Sequence, residues 1–336
     1  MAPKPNETAS TLADAIAGPT ETEMKSNDAF KPTYVKRNVL LFLYLHICAL
    51  YGVYLLLFHA KPASIAWMYV LLVVTTKGIT AGAHRLWAHR TYKARLPLRI
   101  YLAFANALGF QNSIYEWSRD HRVHHKFSET DADPHNARRG FFFAHVGWLI
   151  MRKHPDVLRK GKTVDMSDLL SDPVVRLQKT FYTPLVLVVG ILMPTFVPTK
   201  LWGEDAITAL FVCAFLRLTF SNHVTWLVNS AAHLYGDHPY DLKISPAENV
   251  LVSILAMGEG FHNYHHTFPW DYAASEWGWH KNMTKFFIDL WAKLGLAYDL
   301  KRVPKDIVLK RKKFNGDGST PWYDEDSAQE YLKSAD

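Results

Sequence analysis

Three compact histidine groups have residue types and a spacing typical of metal binding. They are His84-Arg-Leu-Trp-Ala-His89, His121-Arg-Val-His124-His125 and His262-Asn-Tyr-His265-His266, eight histidines in all. Positions i, i+3 and i+4 share one face of a helix, so each His-x-x-His-His group is expected to aim three imidazoles at one point. His84 and His89 are five residues apart, which predicts a helix end or a local distortion between them.

The number of imidazoles predicts more than one metal ion. A single tetrahedral zinc takes about four ligands, and eight or more histidines therefore favour a metal pair. Imidazole binds zinc, copper, iron and nickel, so the ligand type leaves the metal open, while the ligand number and the membrane setting favour an oxygen-activating iron pair. Six nearby carboxylates are candidates to orient the rings by accepting their second N–H. They are Glu116, Asp120, Glu129, Asp131, Asp133 and Glu259.

A further polar element is Asn229-Ser-Ala-Ala-His233. Its amide and imidazole are four residues apart and so share one helix face. A buried polar pair is the alternative interpretation. Its position at the end of an apolar run favours a contribution to the metal site.

Four apolar runs of about 20 residues must position these groups, and that length suits a helix crossing the hydrocarbon of a membrane. They lie near 39–59, 64–83, 181–200 and 206–228, and the first carries no charge. The second contains Lys77, and the fourth contains Arg217 and His223, which need a protein neighbour or an aqueous cavity. Buried helices of a soluble protein are the alternative for these two. The predicted fold is an all-α integral membrane protein with a cytosolic helical cap.

The distribution of basic residues predicts the topology. The short connections at 60–63 and 201–205 are poor in lysine and arginine, whereas residues around 31–37 and 85–99 are rich in them. The positive-inside bias places both termini and the long 84–180 segment in the cytosol. We expect a cap formed by 84–180 and 233–318 within a membrane domain spanning 34–318. The flanking tails are residues 1–33, predicted to be disordered, and 319–336.

Composition restricts the ligand classes. The 336-residue chain has a formal charge of +7, and its basic residues are spread over loops and helix ends. This argues against nucleic acid and favours a phosphate-bearing small molecule at the membrane surface. Cys48 and Cys213 lie inside apolar runs, which predicts packing roles and no disulfide framework. No nucleotide-binding glycine loop, nucleophile elbow or cleaved signal peptide is indicated.

These residues resemble the membrane stearoyl-CoA (acyl-CoA Δ9) desaturases of animals, including the insect enzymes. The resemblance runs from about residue 35 to Gly318 and is carried by the histidine groups and Asn229-x-x-x-His233. Three longer stretches carry it as well: Tyr115-Glu-Trp-Ser-Arg-Asp-His121, Phe127-Ser-Glu-Thr-Asp-Ala-Asp-Pro-His135 and Gly258-Glu-Gly-Phe-His-Asn-Tyr-His-His-Thr-Phe-Pro269.

The resemblance implies a di-iron (Fe²⁺) centre held by nine histidines, with Asn229 binding one iron through water; zinc is an alternative occupant in a recombinant sample. The implied ligands are His84, His89, His121, His124, His125, His233, His262, His265 and His266. It also implies a multi-pass protein of the endoplasmic reticulum membrane, in contact with membrane lipid. The implied reaction is cis-Δ9 desaturation of saturated C14–C18 fatty acyl-CoA with O₂, using electrons from NADH through cytochrome b5 reductase and cytochrome b5.

The resemblance also implies a set of substrate contacts. Positions matching contacts to coenzyme A or the upper acyl chain are Gln111, Asn112, Arg119, Asp120, Arg152 and Lys153. Positions matching the bend of the acyl tunnel are Trp117, Thr225 and Trp226, and those matching its end are Leu72 and Thr76. Vertebrate enzymes carry tyrosine and alanine at the last two, so their chain-length preference need not transfer.

Three alternatives remain open from the sequence. Ile244-Ser-Pro-Ala-Glu248 lies where insect paralogues differ, and some of those make Δ11 or other double bonds. A related di-iron membrane hydroxylase would share the ligands and differ in its product. A metal transporter would bind a passing ion, but transport sites lie near the bilayer midplane, whereas these histidines fall at or beyond helix ends.

Overall fold

The computed structural model describes residues 31–279 and 281–319. The predicted N-terminal tail therefore lies outside the described residues except for 31–33, and so does 320–336 of the predicted C-terminal tail. Within the described residues the chain is mainly helical.

Among the described residues, four helices are long and apolar enough to cross a membrane, as predicted. They are Lys36–Phe58, Pro62–Ala88, Tyr182–Leu201 and Ala206–Leu234, called here the first to fourth spanning helices. The fourth contains the predicted run 206–228 and continues beyond it. Lipid-facing leucine, valine and aromatic side chains remain exposed along them, as expected for helices whose solvent is hydrocarbon.

The second and fourth spanning helices are longer than the predicted apolar runs. At 27 and 29 residues they measure about 40 Å, against a hydrocarbon core of about 30 Å. Their extra turns carry His84 on the second helix, and Asn229 and His233 on the fourth. The spans thus continue into the cap and bring polar residues with them.

π-Helical turns interrupt three of the four spans. They occupy Gly78–Ala88, Leu187–Leu192 and Leu210–Leu216. Hydrogen bonds of the i→i+5 type widen the helix there, a feature that recurs at functional sites. Only the first of these segments contains a predicted metal ligand, His84.

Shorter elements form the cap around the ends of the spans. The helices are Leu96–Ala107, Ile114–Phe127, Ala137–Arg139, Phe143–Gly147, Trp148–Ile150, Pro155–Gly161, Ser167–Ser171, Pro173–Thr180, Val250–Leu255, His262–Thr267, Met283–Lys293 and Lys305–Asn315. Strands Lys93–Ala94 and Ala297–Tyr298 pair antiparallel, with Lys93 opposite Tyr298. The core beneath them includes Leu102, Ile114 and Ile288, all fully buried.

The charged residues predicted to need partners inside the spans have them. Arg217 is fully buried and donates to Thr75 Oγ1 and to the carbonyls of Leu108, Gly190 and Cys213, at 2.9 to 3.1 Å. Those bonds tie the fourth spanning helix to three other segments. Lys77 donates to Thr284 Oγ1 at 3.1 Å. Both cysteines are free and buried, as predicted.

Candidate metal centre

The nine histidines implied as ligands gather into two clusters. One contains His84, His89, His121, His125 and His265, and the other contains His124, His233, His262 and His266. Within each cluster the candidate ligand atoms all lie within 4.8 Å of one another. Four separate segments of the chain supply these rings, so the structure assembles two multidentate imidazole sites.

The expectation that each His-x-x-His-His group aims at one point is wrong. His121 and His125 enter one cluster while His124 enters the other, and His262 and His266 separate from His265 in the same way. The i, i+4 pair stays on one side of its helix, and the i+3 residue is rotated toward the neighbouring cluster. Each helix therefore contributes to both sites.

The spacing of His84 and His89 is explained by the π-helix Gly78–Ala88, which contains His84 and is capped by His89. The His89 backbone N–H donates to the His84 carbonyl at 3.0 Å, an i→i+5 bond that closes the last turn of Gly78–Ala88. Residues five apart then lie nearly above one another, and the two rings are 4.9 Å apart between centroids. The predicted helix end and distortion are both present.

Three of the six candidate carboxylates orient histidine rings. Glu259 accepts from His84 Nδ1 at 2.8 Å, and Asp133 accepts from His124 Nδ1 at 2.9 Å. Glu129 accepts from His233 Nδ1 at 2.8 Å, across 104 residues of sequence. Each bond fixes the hydrogen on Nδ1 and leaves a lone pair on Nε2 for a metal.

The other three candidate carboxylates contact no histidine of the clusters. Asp120 is paired with Arg119 at 2.9 Å and with Lys153 at 2.5 Å. Glu116 accepts from Ser113, and Asp131 is exposed. Their proximity in the sequence to the histidine groups was a poor guide to contact.

The charges around Glu259 and Asp133 keep these carboxylates ionised. Burial alone would raise the pKa of Glu259, but the Arg85 guanidinium and the His84 ring outweigh it and lower the pKa to about 2. Burial likewise opposes ionisation of Asp133, and His124 nevertheless holds its pKa well below the usual value. Arg85 Nη2 lies 2.6 Å from Glu259, so this carboxylate joins a metal ligand to a buried cation.

Six cluster rings outside the spanning helices are held neutral. Burial lowers the pKa of these imidazoles most, and repulsion from neighbouring rings lowers it further. This holds for His89, His121, His125, His262, His265 and His266. Neutral imidazole is the form that binds metals.

The donor arrangement fits bound cations. His84 Nε2, which holds a lone pair, faces His265 Nε2 at 3.0 Å, and that atom also faces His125 Nε2 at 2.9 Å. In the other cluster His262 Nε2 faces His233 at 3.0 Å and His266 at 3.2 Å. His265 Nε2 and His262 Nε2 each face two ring nitrogens but can carry only one hydrogen, so lone pairs face each other in both clusters. A metal ion in each cluster would stabilise these facing lone pairs.

Two adjoining cavities, called here the outer and inner parts of one cavity, reach the clusters. The outer part has a volume of about 840 Å³, and the inner part, about 50 Å³, is lined by ligands of both clusters. Trp117, His121, Thr225 and Asn229 line both parts. Asn229, implied to bind metal through water, thus lies where the cavity meets the histidines.

Ten of the eleven predicted substrate residues line this cavity. The outer part is lined by Gln111, Asn112, Trp117, Arg119, Asp120, Arg152, Lys153, Thr225 and Trp226, and the inner part by Thr76. Gln111 donates to Thr225 Oγ1 at 2.9 Å, which joins two of these positions. Leu72 lies in neither part. It is one helical turn from Thr76, and the Thr76 hydroxyl donates to the Leu72 carbonyl.

Several lining residues escaped the sequence analysis. Arg37, Asn38 and Phe42 reach the outer cavity from the first spanning helix, and His135 reaches it from the loop after Ile114–Phe127. Asn38 also donates to the Leu149 carbonyl at 2.8 Å. The signal that could have identified Asn38 as a lining residue is its polar side chain directly before the apolar run 39–59.

Comparisons with known proteins agree with this geometry. The sequence model of the family described as "Fatty acid desaturase" matches residues 62–281. The chain is 56% identical over 308 residues to the stearoyl-CoA desaturase of Sus scrofa, covering 92% of this chain and 85% of that protein. It is 55% identical over 315 residues to the acyl-CoA Delta-9 desaturase of Acheta domesticus, with 93% and 88% covered. The stearoyl-CoA desaturase of Homo sapiens is 55% identical over 308 residues, with 92% and 85% covered.

Proposed function

The chain belongs to the fatty acid desaturase family, and on that premise we propose that it is an acyl-CoA desaturase that inserts a cis-Δ9 double bond into saturated C14–C18 fatty acyl-CoA. The single observation that carries the proposal is the cavity that runs from a charged mouth, lined by Arg119, Arg152 and Lys153, to two histidine clusters. Relatives named stearoyl-CoA or acyl-CoA Delta-9 desaturase support both the substrate class and the bond position.

We propose that each cluster holds one iron ion, with the nine histidines as ligands and Asn229 acting through water. Bound iron would supply the oxidising power that removal of hydrogen from an unactivated methylene requires, with O₂ as the oxidant. Glu259, Asp133 and Glu129 keep the Nδ1 hydrogens of three ligand rings in place. Electrons would come from NADH through cytochrome b5 reductase and cytochrome b5.

The mouth of the cavity suits the phosphates and amides of coenzyme A. Arg119, Arg152 and Lys153 supply cationic donors there, and Asp120 holds Arg119 and Lys153 in place. Guanidinium and ammonium groups bind phosphate oxygens through charge-assisted hydrogen bonds. The head group would therefore be fixed at one end while the acyl chain enters the protein.

Regioselectivity would follow from how far the chain reaches past the metals. Trp117 and Thr225 line the junction of the outer and inner parts, and Thr76, Ile79 and Val224 line the inner part. Apolar walls exclude water and hold the chain without a polar contact, so position along the channel selects the methylenes that react.

The protein is a membrane protein, and we propose the endoplasmic reticulum as its membrane. Both termini and the cap 84–180 and 233–318 would lie in the cytosol, where the lysine and arginine bias of the connections places them. Coenzyme A esters and cytochrome b5 would then meet the same side of the membrane.

Expression in desaturase-deficient yeast tests the proposed function. Cells given saturated acids of graded length should form monoenes with the double bond at carbon 9, located by mass spectrometry after derivatisation. His124→Ala should abolish the products, and His59→Ala, which changes an exposed histidine directly after the first spanning helix, should not. A double bond at another position would overturn Δ9 alone. Hydroxylated lipids, or no product from protein that is present and iron-loaded, would overturn desaturation.

A further inference from the structure

Three histidines outside the metal clusters meet at the edge of the cap. His46 lies on the first spanning helix, His223 on the fourth, and His145 on the short helix Phe143–Gly147. All three are half-buried. The proposed reaction uses none of them, and ionisable residues within membrane spans are costly enough to call for a functional explanation.

The three rings form one continuous hydrogen-bonded chain. His46 Nδ1 lies 2.6 Å from the Phe42 carbonyl, and His46 Nε2 lies 3.1 Å from His223 Nε2. His223 Nδ1 lies 3.0 Å from His145 Nε2, and His145 Nδ1 lies 2.9 Å from Ser230 Oγ. The chain links three helices through side chains that are distant in the sequence.

The Phe42 carbonyl, at one end of the histidine chain, fixes the direction of every hydrogen bond in it. A carbonyl oxygen only accepts, so His46 carries its hydrogen on Nδ1 and a neutral ring accepts at Nε2. His223 then donates from Nε2 and accepts at Nδ1, and His145 donates from Nε2 and accepts from Ser230. The Ser230 hydroxyl has the Trp226 carbonyl, at 2.8 Å, as its alternative acceptor. Burial lowers the pKa of His145, which agrees with a neutral ring.

The histidine chain packs against the wall of the substrate cavity. The Trp226 ring lies 5.0 Å from His223 and 5.7 Å from His145 between centroids, edge to face with both. Phe42 contacts the same indole at 5.5 Å. Trp226 and Phe42 both line the outer cavity. The histidine chain therefore contacts two wall residues, at the Trp226 ring and the Phe42 carbonyl, one on each of two spanning helices.

We infer that His46, His145 and His223 are positioning residues that set the shape of the acyl channel by fixing Trp226 and Phe42 between the first and fourth spanning helices. This inference rests on the proposed function. Loss of the chain would loosen the wall, so the acyl group would bind in more than one register. The expected consequence is a changed product pattern from an enzyme whose metal centre is intact.

His223 is the best position for a test because it makes two bonds of the chain. In His223→Ala, the kcat/KM for stearoyl-CoA should fall about tenfold, because a loosened wall misplaces the acyl chain relative to the metal centre. The fraction of double bonds away from the main position, or the range of accepted chain lengths, should rise. His223→Gln should recover much of the wild-type pattern, because its amide donates and accepts as the ring does. His59→Ala, at an exposed ring directly after the helix that carries His46, is the matched control.

The product pattern separates positioning from general destabilisation. Metal content and the unfolding temperature are measured for each purified variant, and His145→Ala, at the edge of the cap, serves if His223→Ala does not fold. An unchanged product pattern and KM in a folded, metal-loaded variant would overturn the inference. So would loss of a third metal ion per chain in His223→Ala, since the rings would then be ligands. Failure of wild-type protein to desaturate any acyl-CoA would instead refute the proposed function.

Discussion

Glu259→Gln is the substitution whose consequences can be worked out most fully. Glu259 accepts from His84 Nδ1 with one oxygen and from Arg85 Nη2 with the other, at 2.8 and 2.6 Å, and is 7% exposed. The pKa of the carboxyl falls from 4.5 to about 2, which corresponds to about 3 kcal/mol of stability at neutral pH. This contribution is lost as the pH falls from 4.5 toward 2.

A glutamine at this position can satisfy only one of the two donors. If its NH₂ group faced His84 Nδ1, the His84 ring would be misoriented, and if it faced Arg85 Nη2, the buried Arg85 cation would lose its charge partner. We expect the free energy of unfolding to fall by about 3 kcal/mol and metal affinity or activity to fall by about 10- to 100-fold. Arg85 keeps its bonds to the carbonyls of Tyr272 and Ala273 in both proteins.

Denaturant unfolding, metal analysis and turnover of the purified variant in detergent or nanodiscs measure these effects together. Asp131→Asn is the matched control, because Asp131 belongs to the same set of sequence candidates but is exposed. If Glu259→Gln retained metal and activity within twofold of wild type, with no more destabilisation than the control, the orienting role of Glu259 would be refuted.

Four further outcomes are expected. Thr76→Phe should shift the preferred substrate to shorter acyl chains, since Thr76 lines the inner part of the cavity, and competition between acyl-CoAs of graded length measures the shift. Lys153→Ala should raise the KM for acyl-CoA by roughly 3- to 10-fold with little change in kcat, as steady-state kinetics would show. Burial, assisted by Glu276, raises the pKa of Glu248 to about 8. The native state therefore retains a proton that the unfolded state releases, so the free energy of unfolding should fall as the pH rises from 4.5 to 8. Glu248→Gln should flatten this pH dependence, measured through the unfolding temperature. Removing metal with a chelator should lower the unfolding free energy by about 5 kcal/mol, roughly 2.7 kcal/mol for each of two sites, relative to protein with free metal at a hundred times its Kd, and an unchanged unfolding temperature would contradict two occupied clusters.

The parts of the fold that local sequence determines were predictable. An uncharged run such as Leu40–Phe58 signals a spanning helix by itself, because hydrocarbon tolerates few other structures. The i, i+3, i+4 spacing likewise signals a metal site without knowledge of its partners. Both signals are contained within one or two helical turns.

The assembly of the site depends on contacts that local spacing does not encode. The division of His124 from His121 and His125 depends on which helix faces each side of Ile114–Phe127. The choice of Glu129, and not Glu116 or Asp120, as a histidine partner depends on a contact with His233 across 104 residues.

The histidine chain His46, His223 and His145 shows the same limit. No local pattern in the sequence marks these three residues as a group, since their separations are 177 and 78 residues. Only the packing of the first spanning helix and the short helix Phe143–Gly147 against the fourth brings them to hydrogen-bonding distance. Tertiary structure was needed to reveal them.

The central claim is that this chain desaturates acyl-CoA at a site built from two histidine clusters. Purified protein loaded with iron, given stearoyl-CoA, O₂, NADH, cytochrome b5 and its reductase, tests it most directly when metal content and product structure are measured in one sample. We predict two irons per chain and an 18-carbon acyl product with a cis double bond at carbon 9. A hydroxylated product, or no product from protein holding two irons that are reduced, would contradict the claim.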